Sequence, residues 1–307
     1  MIITNPSLVG QQAYNESYLK TLKQGTEKLS DFLSNGLFGQ QPKLAVVLGS
    51  GLGGLANDLE APQSLEFTEL GLPVAGAQGH AGRFVVGKLE GEPVLLQQGR
   101  IHMYEGHPGP LVALPIRMMM NAGVRDILIT NAAGALDPKV NIGDLVLNTS
   151  FHFQLPPAYH PSTGLSGEMI GSQFYPPAFG YSEEMMEKIK ERAKEIPLHE
   201  GGYVFRFGPN YEDPSDIRDL SLKRSAFLDI GEIKNAPLVV GMSTVPEILA
   251  VAQFNSQYQG AIKCCSISNV TNLGAGLSSI QPSHQEVLEN SALGGKRLRE
   301  IICGFLG

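Results

Sequence analysis

Arg100 and His102 stand two residues apart in Gly99-Arg-Ile-His-Met-Tyr-Glu-Gly106, just after an apolar run, Val94 to Leu96, that reads as a strand. If the extended backbone continues, the two side chains share a face. A guanidinium fork suited to phosphate oxygens then lies beside an imidazole donor. Taken alone, a surface arginine with a chance histidine neighbour is the better reading of the pair. Gly49-Ser-Gly-Leu-Gly-Gly54 follows a second apolar run, Leu44 to Leu48. Such a loop offers unhindered backbone N–H groups to an anion, with the Ser50 hydroxyl as a further donor. It also satisfies the dinucleotide fingerprint G-x-G-x-x-G. That fingerprint needs a second strand ending in Asp or Glu about 20 residues on. Asp58 to Leu72 offers Glu66 and Glu69 without a clear apolar strand before them, and a plain glycine turn is the third reading.

Other polar residues sit where strands or helices begin or end. His80 lies in Gly79-His-Ala-Gly-Arg83, a glycine-flanked turn that lets a loop approach a ligand and equally suits a polar turn residue. Asn131-Ala-Ala-Gly134 puts small side chains where a strand opens, so that backbone amides such as that of Ala132 reach a ligand, or so that strand and helix pack closely. Thr244-Val-Pro-Glu247 and Ser283-His-Gln-Glu286 both fit the capping box. Ser243, just before the first, falls at the positive end of a helix dipole, and His284 at the mouth of the second helix. Met242 offers a polarizable apolar surface for a sugar face or for the core. Glu212 is a carboxylate acceptor beside Tyr211, or a solvated loop acid, and the amide of Asn272 both donates and accepts.

These groups are far apart in sequence, so a scaffold must gather them. Apolar runs at Leu44 to Leu48, Phe84 to Val86, Val94 to Leu96, Ile127 to Thr130, Leu145 to Leu147, Leu238 to Val240 and Ala261 to Ile267 read as strands. Helix-length segments between several of them predict a single α/β domain with a mixed sheet. Asn15 to Leu37 carries a helical stripe of Leu19, Leu22, Leu29, Phe32 and Leu33, so residues 1–40 are expected as a helical segment packed on that domain. Leu155 to Tyr181, rich in Pro, Gly and Ser and holding Tyr159, Phe174, Tyr175 and Phe179, reads as a long, partly ordered loop.

Composition narrows the function classes. The 307 residues are 42% apolar with a net charge of -7, which opposes a role as a general nucleic-acid binder. No stretch of about 18 apolar residues and no basic start followed by an apolar run is present, so a soluble, cytoplasmic protein is expected. Cys264, Cys265 and Cys303 match no zinc spacing and read as buried thiols, and no metal is expected.

GSGLGG, GHAGR, GRIHMYEG, TNAAG, GPNYED, GMSTVPE, VTN and SHQEV occur in the order and approximate spacing of the trimeric purine nucleoside phosphorylases. The chain resembles that family from about Lys43 to about Ile302, with GRIHMYEG and GMSTVPE the most distinctive segments. The resemblance implies a partly barrel-like central sheet flanked by helices. It further implies phosphorolysis of purine (deoxy)ribonucleosides, inosine and guanosine foremost, without a cofactor and with inorganic phosphate as co-substrate. Phosphate would sit among Ser50, Arg100, His102, the N–H of Ala132 and the hydroxyl of Ser243, with His80 close by. Tyr104 and Met242 would line the sugar, His284 would reach its 5'-hydroxyl, and Glu212 and Asn272, flanked by Tyr211 and Thr271, would address the purine. Within the family Asn at position 272 goes with 6-oxopurines, and Asp with methylthioadenosine phosphorylases. A homotrimer is implied, with an aromatic from a neighbouring subunit over the sugar. In the corresponding segment, Glu168 to Phe174, the positional match is Ile170, with Phe174 a few residues on. Gly231 to Ala236 departs from the pattern as an insertion expected to lengthen an external loop. The alternatives are a methylthioadenosine phosphorylase, or a nucleotide-binding protein or dehydrogenase without phosphorolysis.

Overall fold

The computed structural model describes residues 11–74, 76, 81–229, 231–277 and 283–307. The chain begins with helix α1 (Gln11–Gly36), whose buried residues Tyr14, Tyr18, Leu22, Leu29 and Leu33 recur at helical spacing and join the main core. Leu19, part of the expected stripe, is half out of it at 38% exposure, and the two tyrosines occupy the buried face instead.

Nine strands form one mixed sheet: β1 (Leu44–Leu48), β2 (Glu60–Glu66), β3 (Arg83–Leu89), β4 (Glu92–Gln98), β5 (Asp126–Ala135), β6 (Leu145–His152), β7 (Leu198–Phe205), β8 (Pro237–Gly241) and β9 (Lys263–Leu273). Their order is β2-β3-β4-β1-β5-β8-β7-β6-β9, and a further β5–β9 pairing closes the last five into a barrel-like ring. Helices α2 (Leu114–Asn121), α3 (Glu183–Arg192), α4 (Pro214–Asp229), α5 (Val245–Tyr258) and α6 (His284–Leu306) flank it. Every residue of β1 is buried, as its unbroken apolar run requires of a strand covered on both faces. β5, shared by the open sheet and the ring, pairs in parallel with both β1 and β9.

Two strands were not among the runs expected from the sequence. β2 is an exposed edge strand, antiparallel to β3 and containing Pro62, a residue that edge strands tolerate because no ladder donor is lost. β7 passes through Gly201, where a Cβ would come within 2.5 Å of the Leu238 side chain, and only its last three residues, Tyr203-Val204-Phe205, form a buried apolar run.

The dinucleotide alternative fails on topology. GSGLGG leads into a short 3-10 turn, Gly53–Asp58, and then into antiparallel edge strand β2, whereas the fingerprint belongs to a loop that opens a helix in a parallel βαβ unit. The 155–181 segment, expected as partly ordered, is tied down by buried polar groups. Arg117 of α2, fully buried, donates to the carbonyls of Pro161 and Ile170 at 3.3 Å each and to Gln253 Oε1 at 2.8 Å. Gln253 Nε2 donates to the carbonyls of Leu165 and Ser172, and Asn121 to that of Met169. Ile170 is buried in the core while Phe174 is 85% exposed. The inserted 231–236 segment forms an outer turn, Ile233–Asn235, with Ile233 exposed.

Candidate functional site

The strands β4, β1, β5 and β9 run parallel to their neighbours in that series, so their C-terminal ends meet on one side of the sheet. In open α/β sheets this is where ligand crevices form. There, one cavity is lined by Ser50, Arg100, His102, Tyr104, Ala132, Tyr211, Glu212, Met242, Ser243, Thr271, Asn272 and His284. Thus every candidate residue named from the sequence lines this cavity except His80, which lies outside the described residues. Asn131 and Gly134 of the small-residue segment join the wall, and Val240 and Val287, which were not anticipated there, complete parts of it.

The Gly-rich loop is fixed by Thr130, whose hydroxyl donates to the Val47 carbonyl at 2.7 Å and accepts the Gly49 N–H at 3.1 Å. A Cβ on Gly49 would stand 2.6 Å from the Cα of Asn131, so no side chain fits between loop and β5. Helix α6 closes the other side: the Ser291 hydroxyl, which donates to the Val287 carbonyl of its own helix, packs against the Gly-rich loop 3.2 Å from the Ser50 carbonyl, and Asn290 donates to the Thr271 carbonyl at 2.8 Å.

Arg100 is buried, with Nη1 donating to Ser243 Oγ and Nη2 to the Thr130 carbonyl, both at 2.7 Å. Its Nε lies 3.3 Å from Glu247 Oε1. Glu247 was expected to complete a capping box with Thr244, and it does not. Thr244 adopts φ 73° and makes no side-chain cap bond, so Glu247 is turned to the buried cation instead. At the other predicted cap, Ser283 Oγ accepts the Glu286 N–H at 3.1 Å.

His102 Nδ1 lies 3.0 Å from Glu105 Oε1, and its ring stacks on Tyr104 at 4.6 Å. Burial pushes the imidazole below its ordinary value, with Arg100 adding to the effect and Glu105 opposing it. Burial alone would raise Glu105, but hydrogen bonds from the His102 side chain and from the Gly76 and His102 N–H groups outweigh it and hold the carboxylate low. A neutral imidazole that gives its Nδ1–H to Glu105 presents Nε2 as an acceptor, not the donor first expected. Glu105, three residues on, was missed as its partner.

Glu212, also in the cavity wall, is 7% exposed, and burial raises its carboxyl above the usual range, with Arg206 partly countering this. Asn272 Oδ1 accepts from the Thr271 hydroxyl at 3.2 Å, which leaves its NH2 as the group to meet a ligand; it also donates to the Leu273 carbonyl at 3.3 Å. His284 Nε2 is buried and has no hydrogen-bond partner among the described residues. The cavity therefore brings together a buried cation with hydroxyl groups, Arg100 and Ser243, and one amide and one acid, Asn272 and Glu212. Among the described residues no group of three or more His, Cys, Asp or Glu is arranged to hold a metal ion, and no helix is long and apolar enough to cross a membrane.

Residues 43–307 match the Phosphorylase superfamily. The chain is 33% identical to purine nucleoside phosphorylase 1 of Bacillus subtilis (strain 168) over 271 residues, covering 87% of this chain and 92% of that protein. It is 34% identical to the purine nucleoside phosphorylase of Bos taurus over 272 residues, covering 86% and 88%. Among solved structures it resembles Schistosoma mansoni purine nucleoside phosphorylase in complex with inosine, with a TM-score of 0.73 and 28% identity over 92% of this chain and 95% of that one. A structure of Schistosoma mansoni purine nucleoside phosphorylase in complex with adenosine gives a TM-score of 0.75 at 29% identity, over 93% and 96%.

Proposed function

Because the chain belongs to the Phosphorylase superfamily, we propose that its cavity carries out phosphorolysis of purine nucleosides, with inosine and guanosine as the preferred substrates. The observation that carries the reading is that Arg100 and Ser243 share one cavity with Asn272 and Glu212. An oxyanion and a purine held at its two ends would have the sugar between them.

Phosphate, held by Ser50, Arg100, the Ala132 N–H and Ser243, attacks the anomeric carbon as the bond to the purine breaks. The sugar gains oxocarbenium character, and the adjacent dianion both attacks and offsets the developing positive charge. His102 Nε2 accepts the proton of a phosphate oxygen. Tyr104 and Met242 pack on the sugar and His284 meets its 5'-hydroxyl. The departing purine becomes electron-rich, so donation from Asn272 to N7 strengthens in the transition state, while Glu212 accepts from the ring N–H on the far edge. Tyr211 covers the base, and Thr271 holds the Asn272 amide in its donating orientation. The reaction calls for no cofactor. We assign the protein to the cytoplasm as a homotrimer, in which exposed Phe174, rather than buried Ile170, is available to reach a neighbour.

The test is ultraviolet absorbance with inosine or guanosine, with and without phosphate. Phosphate-dependent release of free base is expected, and its absence sinks the proposal. Methylthioadenosine cleaved faster than inosine would favour the sister activity, against which the amide of Asn272 argues.

A further inference from the structure

Only residues 242–244 join β8 to α5, and Thr244 is bent to φ 73°, ψ -45°. A β-branched residue with positive φ crowds its own backbone, and such a conformation persists only where the surroundings over-determine it. Here they do. Asn131 Nδ2 donates to Thr244 Oγ1 at 2.9 Å, the hydroxyls of Ser243 and Thr244 lie 3.3 Å apart, and the Ser243 N–H donates to the buried Tyr203 phenol at 3.1 Å. Thr244 is fully buried and Asn131 is 1% exposed. The hydroxyl expected to cap α5 is thus engaged with β5 instead. The Ser243 hydroxyl at the crest of this turn is the one that accepts from Arg100. Asn131 directly precedes Ala132, so one side chain connects the two backbone segments of the oxyanion end.

We propose that Asn131 and Thr244 are positioning residues: their hydrogen bond locks the strained 242–244 turn in the conformation that aims Ser243 at Arg100. Phosphate affinity then depends on a contact between two side chains, neither of which has to touch phosphate. This inference rests on the cavity being a phosphate site.

Three variants test it by steady-state kinetics and thermal melting. Thr244→Ser keeps the hydroxyl, Thr244→Ala removes it but keeps the strained Cβ, and Thr244→Gly removes both hydroxyl and strain. Thr244→Ser should keep the phosphate KM within about twofold of wild type, while Thr244→Ala and Thr244→Gly raise it about tenfold with the nucleoside KM changed by less than about threefold. Thr244→Gly should melt no lower than Thr244→Ala, because glycine adopts positive φ without strain. The proposal is overturned if phosphate KM is unchanged in the alanine and glycine variants, or if serine fails as alanine does. It is also overturned if loss of phosphate affinity simply tracks melting temperature across the three. A wild-type enzyme without phosphate-dependent base release would instead overturn the functional reading, and this inference with it.

Discussion

The Nε of Arg100 stands 3.3 Å from Oε1 of Glu247, with both side chains almost wholly buried. The cation at the oxyanion end therefore has a fixed carboxylate partner before any anion arrives. Removing one member of a buried pair leaves the other charge uncompensated. Glu247→Ala should therefore lower unfolding stability by about 3–5 kcal/mol. Saturating phosphate should recover part of that loss by binding only the folded chain. Urea denaturation with and without phosphate checks both statements, and a wild-type midpoint in the variant would contradict them.

Asn272→Ala removes the amide proposed to donate to the departing base. By analogy with oxyanion donors it should raise the barrier by about 2–4 kcal/mol. That appears as a loss in kcat with inosine, while the phosphate KM stays near wild type. Initial-rate kinetics with each substrate varied in turn measures the split.

Glu212 should set a pH dependence at the base end. Burial raises its carboxyl above 4.5, and only the ionised form accepts a purine N–H with both oxygens available. Nucleoside KM should accordingly rise as pH falls toward that raised value, and Glu212→Gln should flatten the profile. In the unliganded protein the sign for stability is opposite. The folded state holds this proton more tightly than the unfolded one, so the group's stabilising contribution is present at low pH and is lost as pH rises through the raised value. Kinetic and melting profiles over the same pH series check the two trends.

Gly49→Ala would put a Cβ 2.6 Å from a backbone atom of Asn131 and 2.9 Å from the Thr130 carbonyl oxygen. Neither can yield as a flexible side chain would. The expected cost is about 1–3 kcal/mol, with a raised phosphate KM as the loop is pushed off β5. Gly54→Ala, in the same loop but with nothing within 4 Å of the added Cβ, should do neither and serves as the control.

How much of this was legible in the sequence depends on which signal each part left. Strands covered on both faces, such as Leu44–Leu48, announce themselves as apolar runs. β2 does not, because an edge strand exposed along most of its length needs no hydrophobic face, and in β7 two glycines shorten the apolar signal to Tyr203-Val204-Phe205. The cavity's lining was readable in part because Ser50 and Arg100 follow glycines at strand ends, and for the rest because the order of the segments resembles a known family. Its supporting partners were harder to see. Glu247 fitted a local capping motif, and only the tertiary structure reveals that Arg100 claims it. Asn131 read as one of a run of small residues, while its amide works across the sheet on Thr244. Glu105 could have been suspected, since it lies three residues after His102, but spacing alone does not reveal a buried imidazole.

Helix α6 holds the Gly-rich loop through Ser291 and the end of β9 through Asn290. A nascent chain cannot possess the pocket until that helix has emerged and docked. Substrate affinity is then an assay of global folding rather than of a local motif. Bound phosphate and purine should slow amide hydrogen exchange in α6 and β9 as well as at the contacts themselves, because opening either element empties the site.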